Sequence, residues 1–379
     1  MKLLSTAKPF LSRVLALCIA GSALASHAHA QPRPADDWDK VVEAAKKEGE
    51  VILWGQAGEQ RRAFWKVAFE KAYPGIKVNL YMAPTNSHRD RRFEQEVKGG
   101  VFKADVFVGG AGSALVRYKP AKQIRPIKPL LRPDILDAKH WSGGEVPWMD
   151  HDKAYFLVSD ALAYPTATIN GSVKDPPTSY QDLLSPKFDG KIVMSDPLKS
   201  GGGFAFAAFV GSEPTLGREF LRKFFANKRV IFNMDDRQMA EWVDSGRALV
   251  GINMRPDEIR AIQKLGGKLR VVGDLRSGGK TIGQTIGNDG ILWLPASDSP
   301  HPNATRVYVN WFYSVAGQQA MVDALDIGSN VAGVNQTNVD KWSRPRAGVA
   351  YTNTMSEDIV NNESMNALRK FLEDVLAGS

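Results

Sequence analysis

The stretch VILWGQAGEQRRAFWKVAFEKAYPGIKVNLYMAPTNSHRDRRFEQEVKGGVFKADVFVGG, residues 51–110, reads as strand, helix, strand, helix, strand. Residues 51–54 are a short apolar run of the buried-strand type. Residues 58–72 carry Phe64, Val67, Ala68 and Phe69 at helical spacing and stop at Pro74-Gly75. Residues 76–82 alternate as a strand does, residues 86–98 form a charged helix closed by Gly99-Gly100, and residues 104–108 are a third strand. This βαβαβ order predicts a parallel sheet with helices on its faces. Ligands of such sheets sit beyond the carboxyl ends of the strands. That singles out the loops at 55–58, 83–88 and 109–112, with Gln56, Ala57, Asn86, Ser87, Gly110 and Ala111 as candidate ligand contacts.

Upstream, residues 38–47 have helical spacing, with Val41, Val42, Ala44 and Ala45 on one side and Gly49 as the stop. The first thirty residues have another character. Lys2, Lys8 and Arg13 make a basic start, residues 14–25 are a short apolar run, and Ala28-His29-Ala30 is a small-x-small cleavage pattern. That is a secretory leader, too short to span a bilayer. The mature chain is expected to begin at Gln31 and to work in the periplasm. Cys18, the one cysteine, leaves with the leader; Leu17 before it is not small, which argues against a lipoprotein. Disulfides, a thiolate nucleophile and cysteine-ligated metal are therefore not expected. Removing 30 of 379 residues leaves 349, a length that suggests two lobes. The mature chain keeps 46 of the 49 basic residues and all 41 acidic ones, a net charge of +5. That balance weakly favours an anionic partner. The basic residues are scattered and no nucleic-acid motif occurs, so nucleic acid is not expected.

Downstream, a second unit alternates in the same way. Strands are expected at 191–195, 230–232, 248–254 and 291–295, and helices at 180–184, 204–210, 216–226, 236–245 and 256–265. One long helix is expected at 307–325 and a last one at 364–377. Residues 118–147 and 330–353 look like long connections. Neither an internal repeat nor a low-complexity run is present.

Four local patterns then carry a resemblance. AAKKEGEVILWG (residues 44–55), ADVFVGG (104–110), PPTSYQDLLSPKFDGKIVMSDPLKSGGG (176–203) and PHPNATRVYVNWFYSVAGQQAM (300–321) follow one another in order. Together they resemble the periplasmic solute-binding proteins of bacterial ABC importers, in the branch that includes ferric-ion binders. The resemblance covers nearly the whole mature chain. It implies a two-lobe, type II periplasmic-binding α/β fold that closes over a ligand, with lobe one at 31–170 plus 285–379 and lobe two at 171–284. The last helix is open to either lobe. A monomer that hands a small solute to the transmembrane subunits of a permease is implied.

The ferric binders of this branch hold iron with an imidazole, a carboxylate and two adjacent tyrosines, the hard oxygen-rich set that Fe(III) requires. Aligned by motif, those positions are Ala57, Gly110, Met254 and Arg255. None is a donor of the required type, so direct ferric binding is not expected. An anion is. Ser200, Gly201, Gly202 and Gly203 precede an apolar helix, where backbone N–H groups favour negative charge; the competing reading is Ser200 as a plain N-cap. Arg255 ends a strand before Pro256, placed to hold a carboxylate or phosphate by two parallel bonds, or else to pair with Asp257 or Glu258. Asp235 and Asp236 would support Arg255 or a ligand hydroxyl, or cap the next helix. His88 and the arginines of NSHRDRR (86–92) read as surface, and Trp54 and Tyr81 as core or stacking platforms. His88, His140, His151 and His301 have no metal-ligand spacing.

GDLRSGGKT (273–281) misses the phosphate-loop spacing by one residue, and neither G-x-S-x-G nor H-E-x-x-H occurs. The expected function is therefore capture of a small anionic organic solute (carboxylate, phosphonate or phosphate ester), with no cofactor and no catalysis. The alternatives are a ferric-iron or iron-chelate binder and, in another class, an exported enzyme or a sensor partner on the same scaffold.

Overall fold

In a computed structural model of the chain, which describes residues 37–199, 201–226 and 229–378, the apolar run at 51–54 lies in the strand Glu50–Gln56. The leader, Cys18 and Gln31 fall outside the described residues. This strand pairs in parallel with Lys77–Ala83 and Val106–Val108, Leu53 standing beside Leu80 and Val106. The sheet continues antiparallel through Leu292–Pro295 to Ile124–Arg125. Its apolar side chains meet in an aromatic core, where Phe107 stacks on Trp293 at 3.8 Å and Phe93 meets both rings edge-on. Each fully buried ring of this kind is worth about 1.5–3 kcal/mol.

A second mixed sheet has the order Leu269–Gly273, Ala167–Asn170, Val250–Ile252, Ile192–Met194, Val230–Phe232. Ala167–Asn170 is antiparallel to both neighbours, and the last three strands are parallel. The helix Gly202–Ser212 is apolar nearly all round because it is buried nearly all round, between this sheet and Phe220, Leu221 and Phe224. The last helix, Asn362–Ala377, sends Leu368, Phe371 and Leu372 into this same core. A third sheet links the two halves. The hairpin Leu275–Ser277 and Lys280–Thr285 turns at Gly278-Gly279, both at positive φ, and Lys280–Thr285 pairs with Val349–Asn353 and Ala163–Tyr164. The near-phosphate loop at 273–281 is thus a β-hairpin, with two glycines in the turn that needs them.

Several boundaries differ from the sequence reading. The single helix expected at 307–325 is two, Pro302–Phe312 and Val315–Leu325. Ser314 breaks it by accepting the Gly317 N–H at 3.1 Å as an N-cap. The helix after the first strand contains a six-residue π segment, Ala63–Ala68, between two α turns. The supposed connection at 330–353 ends in the strand Val349–Asn353. Strands Leu269–Gly273, Leu275–Ser277 and Lys280–Thr285 were not expected. Among the described residues, no helix is long and apolar enough to cross a membrane.

Candidate functional site

The carboxyl end of Glu50–Gln56 opens a loop that Arg61 ties down. Its Nη1 donates to the Ala57 carbonyl at 3.2 Å, while Nε and Nη2 grip the Asp289 carboxylate at 2.6 and 3.1 Å. Asp289 follows Asn288, whose N–H donates to Asp160 Oδ2 at 2.9 Å. Gly112 and Ser113 begin the helical segment that runs through a second π stretch, Ala114–Tyr118. These residues form one wall.

The facing wall starts at Ser195, just past the strand Ile192–Met194. Its Oγ accepts the Gly203 N–H at 2.7 Å, at the head of Gly202–Ser212. A Cβ on Gly203 would lie 1.9 Å from the Ser195 carbonyl oxygen, and one on Gly202 2.6 Å from the Asn253 carbonyl oxygen. Close packing therefore demands glycine at both positions. Asn253 sits at φ 49, donates Nδ2 to the Gly202 carbonyl at 3.2 Å and accepts the Gln284 amide at 2.6 Å. Arg255 follows at the head of Pro256–Lys264, half-exposed, with Nε and Nη2 donating to Asp257 at 3.0 and 2.5 Å.

Between the walls lies a cleft with a cavity volume of about 1220 Å³, lined by residues of both sheets and of the C-terminal segment. Its charged lining is balanced: Arg61, Arg117, Arg255, Arg260 and Lys264 against Glu59, Asp236, Asp257, Asp289 and Asp326. The lining therefore presents no broad field of either sign, only particular donors and acceptors. The hydrogen bond to Asp257 holds the Arg255 guanidinium well above its ordinary value, so it stays cationic. Burial pushes the Tyr164 phenol up to about 12, against the Arg255 charge. Burial also raises the Asp236 carboxyl, which the Arg255 charge pulls back. A permanent cation and a protonated phenol suit binding by charge and hydrogen bond. Among the described residues, no group of three His, Cys, Asp or Glu is placed to hold a metal ion.

Residues 65–347 match the sequence profile of the bacterial extracellular solute-binding proteins. The chain belongs to that family. No curated protein matches its sequence. Among solved structures it is similar to the Trichodesmium protein IdiA (FutA) in complex with iron and citrate ligands. That pair is 18% identical over 86% of this chain and 99% of the other, with a TM-score of 0.63. Ferric iron-binding protein A of Mannheimia haemolytica in an open conformation is 16% identical over 86% and 98%, with a TM-score of 0.64. AfuA of Actinobacillus pleuropneumoniae with bound fructose-6-phosphate is 14% identical over 87% and 99%, with a TM-score of 0.59. At these identities the likeness is one of fold, the type II periplasmic-binding α/β fold. This solute-binding protein is a component of ABC transport, not an enzyme, in a family that works in the periplasm or outside the cell.

Of the contacts expected from sequence, Gln56, Gly201, Gly202 and Arg255 line the cleft of the solute-binding protein. Ser200 lies outside the described residues. Ala57, Asn86, Ser87, Gly110, Ala111 and Asp235 are not in its lining. Each has another place. The Ala57 N–H donates to the Ala83 carbonyl at 2.7 Å. Asn86 opens the helix Asn86–Gly99, capped by Thr85, and packs on Gly110 so closely that a Cβ there would lie 2.2 Å from its Nδ2. Ser87 is exposed and Ala111 fully buried. Asp235 accepts the Gln238 N–H at 2.9 Å, the capping role weighed against ligand contact, while its neighbour Asp236 lines the cleft. The arginines of NSHRDRR are not all surface: Arg89 is fully buried, and Arg92 lies over the Trp54 and Tyr81 rings.

Sequence reasoning missed Arg61, Ser195, Asn253, Asn288 and Asp289. Only Asn253 carried a local signal, an asparagine directly after a strand, where the left-handed conformation is tolerated. Arg61 looked like one charge among several on a helix, and Asp289 reaches it from 228 residues away.

Proposed function

We propose that this protein is exported, begins at Gln31 when mature, and captures a small anionic organic solute (carboxylate, phosphonate or phosphate ester) for a membrane permease. The solute would sit between lobe one, residues 31–170 plus 285–379 without the last helix, and lobe two, residues 171–284 with that helix packed on it. The observation that carries the reading is Arg255, a permanent cation half-exposed on the same cleft as the Gly201-Gly202 helix start. Among the described residues its Nη1 makes no hydrogen bond, which leaves that edge for a ligand oxygen. The fold accommodates such chemistry elsewhere: the AfuA structure holds a sugar phosphate and the Trichodesmium one holds citrate with iron. Capture proceeds by hinge closure, because a solute touching both walls favours the closed form by its extra contacts there.

The test is a thermal-shift screen of carboxylates, phosphate esters, phosphonates, sugars, polyamines and ferric citrate. A ligand at a hundred times its Kd adds about 2.7 kcal/mol, a midpoint shift of a few degrees. One anion class is expected to stabilise the protein, and Arg255→Ala to weaken its binding by about 1.5–3 kcal/mol. Stabilisation by iron compounds or cations alone, or an Arg255→Ala protein with unchanged affinity, overturns the reading.

A further inference from the structure

The cleft is not uniform. Its polar groups (Arg61, Asp289, Asn253, Arg255) lie at strand ends and helix starts, but it continues past them along the helix Gly202–Ser212. Phe204 and Ala208 lie one turn apart on that helix and line the same cleft. Ala208 stands about 9 Å along the axis from Gly202 at the normal helical rise. Val116, on the helical segment that Gly112 and Ser113 begin, lines the cleft too. Met355, Ile359 and Met365 also line it, all three half-buried, and a Cβ on Gly112 would lie 3.4 Å from the Met355 methyl. Methionine is the side chain best able to mould itself to an irregular apolar guest. A solute of polar atoms alone would fill one end and leave this apolar wall facing water inside a closed cleft, which is costly. With five acidic groups among the ten charged residues of the lining, a second anionic head would meet no net positive field.

We infer that the solute is amphipathic with a single anionic head, one carboxylate or phosphate at Arg255, and an unbranched or aryl apolar body along Phe204, Ala208, Val116 and the two methionines. The inference rests on the anion-capture reading. The apolar end supplies affinity in proportion to the area it removes from water, and the head sets direction.

The experiment is calorimetric titration of the purified exported protein with acetate, butyrate, hexanoate and octanoate, with succinate as the dianion matched to butyrate. Alkyl phosphates of the same chain lengths distinguish the two heads. Kd is expected to tighten about fourfold per added methylene until the chamber fills. Butyrate should bind tighter than succinate. Met365→Gln, close in size and on a half-buried position, should weaken octanoate at least tenfold and acetate by a clearly smaller factor; equal losses for both overturn the inference. Binding that is flat or falls with chain length overturns the inference while anion capture stands. If no carboxylate or alkyl phosphate in the series binds, the inference is overturned, and the thermal-shift screen decides separately whether anion capture stands.

Discussion

Arg89 is a guanidinium with no solvent exposure, and its bonds go to a strand end and one carboxylate. Nη1 donates to the carbonyls of Val108 at 3.0 Å and Gly109 at 2.6 Å. Nη2 donates to Gly110 at 2.7 Å and, with Nε, to Asp90 Oδ1. It therefore satisfies the carbonyls where the third strand stops and the chain turns toward the cleft wall. Its face lies 5.2 Å from the centre of the Trp293 ring. Arg89→Met would leave those carbonyls unpaired and Asp90, itself buried, without its cation. A stability loss of about 3–5 kcal/mol is expected in urea unfolding. Arg91→Ala, two residues along on the exposed face, should stay within about 0.5 kcal/mol of the parent. An equal effect at both positions would contradict the role assigned to Arg89. Nothing in NSHRDRR distinguishes the two arginines. The helix phase that buries one and exposes the other is set by the sheet it packs on.

At the scale of elements, the helix Gly202–Ser212 shows how a glycine run can answer to packing as well as to ligand. Its first turn is pressed onto the ends of Ile192–Met194 and Val250–Ile252, through Ser195 and Asn253. Gly203→Ala places a methyl against a backbone oxygen that cannot rotate away, so the helix start must shift. Ser195→Ala removes only the hydroxyl that accepts the Gly203 N–H, a capping loss of about 1 kcal/mol. Gly203→Ala is therefore expected to be the more destabilising of the two in thermal unfolding. The reverse order would mean that the helix start is loosely held. The break at Ser314 teaches the complementary lesson. Apolar residues continue across it at helical spacing, so periodicity reads one helix, yet the chain turns because Ser314 caps Val315–Leu325 and Tyr313 is needed elsewhere. The Tyr313 hydroxyl accepts the Leu292 N–H at 3.1 Å in the first sheet.

For the molecule as a whole, the junction at Asp160 joins segments far apart in sequence. Asp160–Ala161 pairs with Gly328–Ser329, the Asn288 N–H donates to the Asp160 carboxylate, and Asn330 donates to the Asp160 carbonyl. Burial pushes the Asp160 carboxyl up to about 7, helped by the Asp289 charge and opposed by the Asn288 N–H. Between the ordinary carboxylate range and about 7, the folded protein holds a proton that the unfolded chain has released. This group's contribution to stability is thus present at low pH and lost as pH rises through that window. Asp160→Asn keeps an acceptor for Asn288 and removes the titration. Its Tm should exceed the parent's at pH 8, with the gap shrinking toward pH 5; a gap independent of pH would rule out Asp160 as its source. What the sequence determined by itself were the local regularities: the βαβαβ half, most helices, the family, and four cleft residues at element ends (Gln56, Gly201, Gly202, Arg255). These follow from periodicity, glycine and proline punctuation, and the rule that ligands gather at strand ends. Only the tertiary structure decided the rest. The short strand Ala163–Tyr164 is held by Lys280–Thr285, and Val349–Asn353 by that same strand, each partner more than sixty residues distant, so no local pattern marks either; only the hairpin arm Leu275–Ser277 is a local partner. Arg61 meets Asp289, and Met355, Ile359 and Met365 reach the cleft, by the same long-range crossings. Such contacts exist only once the chain has closed loops of that length, and a side chain's neighbours across them are set by packing rather than by its place in the sequence.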